Sequence, residues 1–574
     1  MRCSRAIRHF FIITLVVCQH VMAQTAPKGS QSALRFEVSF SQQQSETPLD
    51  GRVYVMLSTD DKDEPRFEIS DDPDTQQFFG VDVDALAPGK SAILDATAIG
   101  YPTQSLKSIP AGDYYVQALL NVYETYHLAN GHTVKLPPER GEGQQWNRKP
   151  GNLYSKPVKL HIDPAHGGVV KISLTEKISP IDEPKDTKYI KHLKIKSELL
   201  TKFWGTPVYI GAIVLLPEGF DEHPGAHYPL IVHQGHFPRD LGIPFAEKPP
   251  GPDLKGRRRT VAEYSYRFYQ DWTSGRLPHV IVLELQHANP YYDDSYAVNS
   301  DNVGPYGDAI TQEVIPAVEQ KFRGIGQGWA RALYGGSTGG WEAAAMQIFY
   351  PTFFNDTFAF CPDPVDFRAY QIVNLYDDKN ALWLESNWGK VPRPAERKTN
   401  GSVVTTMDRT NLRELVLGTH GRSTEQLGIW QAVFSPVGND GYPKPIWDPV
   451  TGVIDHDVAN YWKEHYDLRY ILQRDWKTLG PNLVGKLHFT VGDMDSFYLN
   501  NAVHLMQDFL ESTNYPYYAG DFDYGPGRPH CYSGKDDLPP EESGLTTTQR
   551  TIRKAVEHMR QTAPAGADVT SWKY

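Results

Sequence analysis

One run of ten residues, Ala332-Leu333-Tyr334-Gly335-Gly336-Ser337-Thr338-Gly339-Gly340-Trp341, constrains this chain more than any other stretch. An apolar segment, Trp329 to Tyr334, enters it, and an Ala-rich segment, Glu342 to Phe349, leaves it. The pattern predicts strand, sharp turn, helix. Gly335, Ser337 and Gly339 satisfy G-x-S-x-G, in which small neighbours let a serine occupy a strained turn above a sheet edge with its hydroxyl exposed. A helix that starts at the next residue points free N–H groups at any nearby anion. Gly and Ser are common in loops, so the pattern gains weight only from its strand–turn–helix context and from partners elsewhere.

At 574 residues the chain calls for about two domains. Residues 30–178 read as an all-β, sandwich-like unit. Leu34, Phe36, Val38 and Phe40 alternate with polar residues, and strand-like runs recur at Arg52 to Leu57, Tyr114 to Val122, Val158 to Ile162 and Val169 to Leu174. The polar excursion Pro137 to Asn152, with Trp146, reads as an exposed loop or as one reaching a neighbouring site. Pro180 to Thr187 is a linker. Residues 188–574 then alternate strand and helix, which predicts an α/β architecture: a mostly parallel sheet with helices on both faces. Strands are expected near 208–216, 229–233, 279–285, 329–334, 357–360, 487–491 and 517–524, and helices near 307–322, 338–349, 499–511 and 547–560. Two segments break the alternation. Arg239 to Gly275 is polar and carries Arg257-Arg258-Arg259, a solvated face unless it binds an anionic group. Residues 364–481 are too long for a structureless loop and are expected to form a folded lid or cap.

The first 23 residues have the grammar of a secretory signal: Arg2, Arg5 and Arg8, an apolar run from Phe10 to Cys18, and Ala23 at the cut. Val17 before Cys18 argues against lipidation, and no later segment is apolar enough to span a bilayer. The mature protein is expected to be secreted or periplasmic. Cleavage would carry the formal charge from -12 to about -15, which argues against nucleic-acid partners because phosphate contacts need excess Lys and Arg. It would also leave two cysteines, Cys361 and Cys531, as a disulfide or as two separate thiols.

A serine hydroxyl needs a base to take its proton and a carboxylate to orient that base. With a nucleophile on a strand–helix turn of this kind the partners follow in the order acid, then histidine. Leu487 to Val491 is a strand ending in Gly492, Asp493, Met494 and Asp495. Asp495, beyond the turn, is favoured as the acid, and Asp493 is better suited to capping the turn. The loop Gly525-Pro526-Gly527-Arg528-Pro529-His530-Cys531 precedes the last helix, which makes His530 the expected base. An oxyanion hole requires two N–H donors. Thr338 supplies one and the loop His233-Gln234-Gly235-His236-Phe237 the other, assigned to His236 with Phe237 as the alternative. His233 and His236 lack a third ligand of suitable spacing, so neither a metal nor an organic cofactor is expected. Asp455-His456-Asp457 reads as a turn.

Several segments together resemble the enterochelin-esterase and esterase-D-like group of the α/β-hydrolase superfamily. They are Pro229 to Gly235, Asp294 to Ser300, Gly304 to Asp308 with Glu313 and Pro316, and the Gly335 to Trp341 turn. The resemblance covers about Pro207 to Phe354 well and Leu487 to His530 more loosely. It implies an α/β-hydrolase fold and a Ser–Asp–His acyl-enzyme mechanism on an ester, carried by Ser337, Asp495 and His530. Gln234 splits the His-Gly pair usual in the group's oxyanion loop, and the 364–481 insertion is unusually large, so no particular substrate is implied. A binding protein retaining the fold, or an acyltransferase or peptidase with the same triad, are the alternatives. Cys361 ends the strand after the nucleophile helix and Cys531 follows His530. Both are expected at one end of the sheet, where a disulfide would pin the histidine loop.

Overall fold

The computed structural model describes residues 33–72, 74–534, 539 and 542–574; the expected signal at 1–23 lies outside the described residues. The larger, C-terminal part is built on eight strands: β1 (Ile190–Ser197), β2 (Val208–Leu215), β3 (Leu230–Gln234), β4 (Ile281–Gln286), β5 (Arg331–Gly336), β6 (Asp356–Phe360), β7 (Leu487–Gly492) and β8 (Asp521–Gly525). Their order across the sheet is β1-β2-β4-β3-β5-β6-β7-β8. β2 runs antiparallel to β1 and β4, and every later pair is parallel. Strands β3 to β6 are near-continuous apolar runs because helices cover both faces of the sheet. β1 has no counterpart among the strands expected from sequence. Its apolar residues are separated by lysines, as suits an edge strand paired on one side only.

Register decides where the chemistry can sit. Gln234 pairs with Gly335, Gly336 with Phe360, Phe360 with Thr490 and Gly492 with Gly525. The residues leaving β3, β5, β6, β7 and β8 therefore emerge at one edge of the sheet, where parallel α/β sheets bind ligands.

Residues 35–177 form a three-stranded sheet and an eight-stranded sheet. Phe36, Val38 and Phe40 from the first share a core with Val53, Val55 and Leu57 from the second. The intervening residues of the strand Leu49–Ser58, Tyr54 and Met56, face the other way and pack with Val416 and Leu417 of the helix Met407–Leu417. This strand is thus buried on both faces, one inside its own unit and one against the insertion that follows β6. Arg52 reinforces the second contact. It is almost fully buried, donates from Nε to the Val416 carbonyl at 2.6 Å and from Nη2 to the Leu415 carbonyl at 2.9 Å, and pairs with Asp82 at 2.8 Å.

Between β6 and β7 lie two hairpins (Trp383–Ser386 with Gly389–Pro392, Pro394–Arg397 with Val403–Thr406) and four helices (Met407–Leu417, Gln426–Phe434, His456–Tyr466, Leu468–Leu483). Asp455 caps the third helix, accepting from the N–H groups of Asp457 and Val458. The segment 239–275 contains a helix, Gly256–Thr273, that hides Phe268 and Trp272 and leaves Arg257 to Arg259 exposed. The helix expected over 307–322 is interrupted by a π-type turn at Ala309–Val314. Pro316, which has no N–H to donate back, accounts for the break.

Replacing Arg52 with Ala would leave two helix-end carbonyls without their donor, while Asp82 keeps Thr419 and Arg422. Arg52→Ala is expected to lose about 2 kcal/mol, the scale for unsatisfied buried acceptors, read as a lower urea midpoint in equilibrium unfolding.

Candidate active site

Ser337 closes β5 and precedes the helix Thr338–Phe349, with φ 58° and ψ −123°. A non-glycine residue in that region is strained and persists only where its surroundings hold it. The surroundings are the glycines. A Cβ on Gly335 would run into the Gly339 carbonyl, one on Gly339 into the Gln234 carbonyl, and one on Gly340 would come to 2.6 Å from the Phe360 carbonyl. Helix, β3 and β6 meet only because these side chains are absent. The Ser337 N–H is held by the Phe360 carbonyl at 3.0 Å, and the Ser337 carbonyl accepts from Gly340, Trp341 and Asp363.

His530 and Asp495 reach this serine from the loops after β8 and β7. His530 Nε2 lies 2.9 Å from Ser337 Oγ, and its Nδ1 lies 2.7 Å from Asp495 Oδ2. Asp495 is fully buried, and its second oxygen accepts from the N–H groups of Phe497 (2.9 Å) and Leu499 (3.2 Å). Only one oxygen is left for the histidine. The Phe497 ring meets the imidazole edge-on at 5.0 Å. Asp493 acts elsewhere, accepting from the Gly527 N–H at 2.6 Å and so tying down the histidine loop. Burial of His530 disfavours its charged form, but the Asp495 carboxylate outweighs this and raises its pKa well above the usual imidazole value.

Thr338 is the first residue of the nucleophile helix, where the N–H has no intrahelical acceptor. The backbone of Gln234 and Gly235 lies directly against Gly339, which brings the His236 loop to the same turn. His236 Nδ1 stands 3.0 Å from both Asp293 and Asp294. The sequence around His236 offers no further ligand; the fold supplies two carboxylates from a distant loop. Both converge on one ring nitrogen, an arrangement that holds an imidazolium, and they raise the His236 pKa well above normal against the opposing effect of burial. Phe237 packs on Gly143, so the excursion 137–152 touches this loop, while Trp146 turns inward onto Tyr54.

Cys361 and Cys531 are separate thiols in the structure. Their sulfurs and a His530 ring nitrogen all lie within 4.8 Å of one another. Hydrogen bonding from Cys361, together with the neighbouring His530, lowers the Cys531 pKa to about 4, whereas burial raises that of Cys361.

A cavity of about 220 Å³ opens on Ser337. Asp71 and Tyr101 of the N-terminal unit contribute to it, but most of its wall comes from the segment between β6 and β7, including Gln371, Glu396, Arg413, Glu425 and Trp430. Beside the serine, Asp363 accepts from the Tyr296 hydroxyl (2.6 Å), the Thr338 hydroxyl (3.0 Å) and the Gln426 amide (3.2 Å). Arg397 donates to the Asp495 carbonyl at 3.0 Å and to the Asn500 side chain at 3.1 Å. None of these residues sits in a spacing pattern that would single it out from sequence.

The strand order and a serine–histidine–aspartate cluster at the carboxyl edge of the sheet define a serine hydrolase of the α/β-hydrolase type. Residues 265–417 match the model of a family described as putative esterase. The matched span includes Ser337 and stops short of Asp495 and His530. Similar solved structures include a ferulic acid esterase (14% identity, 65% of this chain and 99% of that one, TM-score 0.35). An S-formylglutathione hydrolase from Agrobacterium tumefaciens is similar at 12% identity (66% and 98%, TM-score 0.32). The fluorophosphonate-binding serine hydrolase FphF from Staphylococcus aureus is similar at 14% identity (64% and 97%, TM-score 0.34). No curated protein sequence matches the chain. No helix among the described residues is long and apolar enough to cross a membrane.

By NMR the His530 ring is expected to titrate above the usual imidazole pKa, and Asp495→Asn to bring that titration to lower pH, because the shift depends on the carboxylate.

Proposed function

We propose that this chain is an exported carboxylic ester hydrolase that works through an acyl-enzyme on Ser337. The observation that most supports this reading is the relay from Asp495 through His530 to a serine facing a cavity. His530 Nε2 takes the Ser337 proton as Oγ attacks the ester carbonyl, then gives it to the departing alcohol. Water enters, loses a proton to the same nitrogen as its oxygen attacks the acyl carbonyl, and Ser337 Oγ leaves with that proton as the acid is released. Asp495 keeps Nδ1 protonated and stabilises the imidazolium that forms twice per turnover. The N–H groups of Thr338 and His236 receive the oxyanion. The imidazolium of His236, fixed by Asp293 and Asp294, adds positive charge beside that loop. The N-terminal β-unit and the 364–481 cap shape the pocket that selects the ester. Residues 1–23 direct export.

Because His530 must be neutral to accept a proton and its pKa is raised, kcat/KM should climb with pH through that raised value rather than near 6.5. Asp495→Asn should shift this limb toward acid and cut kcat by about 10⁴-fold, the scale for losing such a carboxylate. A fluorophosphonate probe should label the wild type and not Ser337→Ala; labelling that persists in the variant would refute the nucleophile assignment.

The thiolate character of Cys531, next to a protonated Cys361, suits disulfide formation once an exporting compartment supplies a disulfide oxidant to take up the two electrons. Peptide mapping of protein recovered from the periplasm or medium should find Cys361 joined to Cys531. Two free thiols there would rule the bond out.

A further inference from the structure

The cavity over Ser337 has more acceptor and negative charge than its own residues satisfy. Its charged wall consists of Asp71, Asp363, Glu396, Glu414 and Glu425 against one guanidinium, Arg413. Arg413 is taken by Asp71 at 2.7 Å and Glu425 at 3.2 Å. Asp363 and Glu414 are satisfied by hydroxyl, amide and backbone donors. Glu396, on the hairpin strand Pro394–Arg397, is different: among the described residues its carboxylate makes no ion pair and accepts no hydrogen bond. A second observation is independent of charge. Gln371 is 7% exposed and held at a left-handed φ of 54°, and its Oε1, in the cavity wall, has no donor. The rest of the lining near these two groups is aromatic, with Tyr101, Tyr292 and Trp430.

Unsatisfied acceptors, uncompensated negative charge and aromatic faces together describe a receptor for a cation. Resting on the ester-hydrolase reading above, we propose that the part of the ester occupying this cavity carries an ammonium group, with Glu396 as the residue that selects it. A sugar hydroxyl could donate to Gln371 and to Glu396 but would supply no counter-charge, and a carboxylate would be repelled. Burial and the nearby Asp71 and Asp72 raise the Glu396 pKa, against a smaller lowering by His530.

Aryl esters whose acyl chains end in trimethylammonium, tert-butyl or carboxylate test this, with a parallel series carrying the same three groups on the alcohol. In one series the ammonium ester should have the highest kcat/KM, by about tenfold over the tert-butyl ester, and the carboxylate ester the lowest. Glu396→Gln should close the gap, and Glu396→Lys should turn the preference toward the carboxylate. A preference for the neutral or anionic ester in both series, or a gap that Glu396→Gln leaves intact, overturns the proposal. Calorimetric titration of Ser337→Ala protein with methylammonium, which keeps N–H donors for Gln371 and Glu396, separates this from the catalytic reading. Binding that Glu396→Gln weakens supports the cation site even if no ester is cleaved, and absence of binding overturns it whatever the serine does.

Discussion

Everything at the carboxyl edge of the sheet depends on how closely the nucleophile helix approaches β3 and β6. Gly335, Gly339 and Gly340 leave no Cβ where the Gln234, Gly339 and Phe360 carbonyls pass. That approach holds Ser337 in its left-handed backbone and aims its hydroxyl outward. It also sets the Gln234–Gly235 backbone against the first turn of the helix. The strain at one residue is therefore shared among three strands and a helix, and local fluctuation of any one element cannot relieve it. Asp363, whose N–H holds the Ser337 carbonyl and whose carboxylate gathers three side chains, extends the same scaffold toward the cavity.

Much of the sheet was legible in the sequence, for a simple reason. A strand buried on both faces is apolar over most of its length, so β3, β4 and β5 stand out through the runs Leu230 to Val232, Ile281 to Leu283 and Ala332 to Tyr334. β1 escapes that test because an edge strand tolerates lysine at alternate positions. The site divides in the same way. Ser337 and Asp495 follow core strands and His530 follows the edge strand β8, so chain order and turn chemistry lead to them, and the structure brings them within hydrogen-bond distance. Gln371, Glu396 and Arg413 follow no core strand. They come from a segment whose helices pack on one another and on the N-terminal unit, and no local period records which of its polar side chains turn toward a cavity. His236 shows a third case. Its place in the chain was readable, but Asp293 and Asp294 reach it only through the folding of a loop more than fifty residues away.

The two halves of the active site thus follow different physical rules. The catalytic residues are held by backbone geometry and by hydrogen bonds to backbone N–H groups, which survive wide changes in neighbouring side chains. The cavity is held by side-chain charge: one guanidinium between two carboxylates, with further acids packed nearby. The triad geometry is thus fixed by the sheet, and the cavity wall mostly by the segment between β6 and β7.

The strand Leu49–Ser58 belongs to two cores at once. One face completes the core of the β-unit, while Tyr54 and Met56 on the other cover Val416 and Leu417. Asp71 and Tyr101 from the same unit stand in the wall over the serine. Cutting the chain at the linker would strip a greasy stripe bare on both fragments and leave the pocket missing a side. The two units therefore share one packed boundary and one pocket wall.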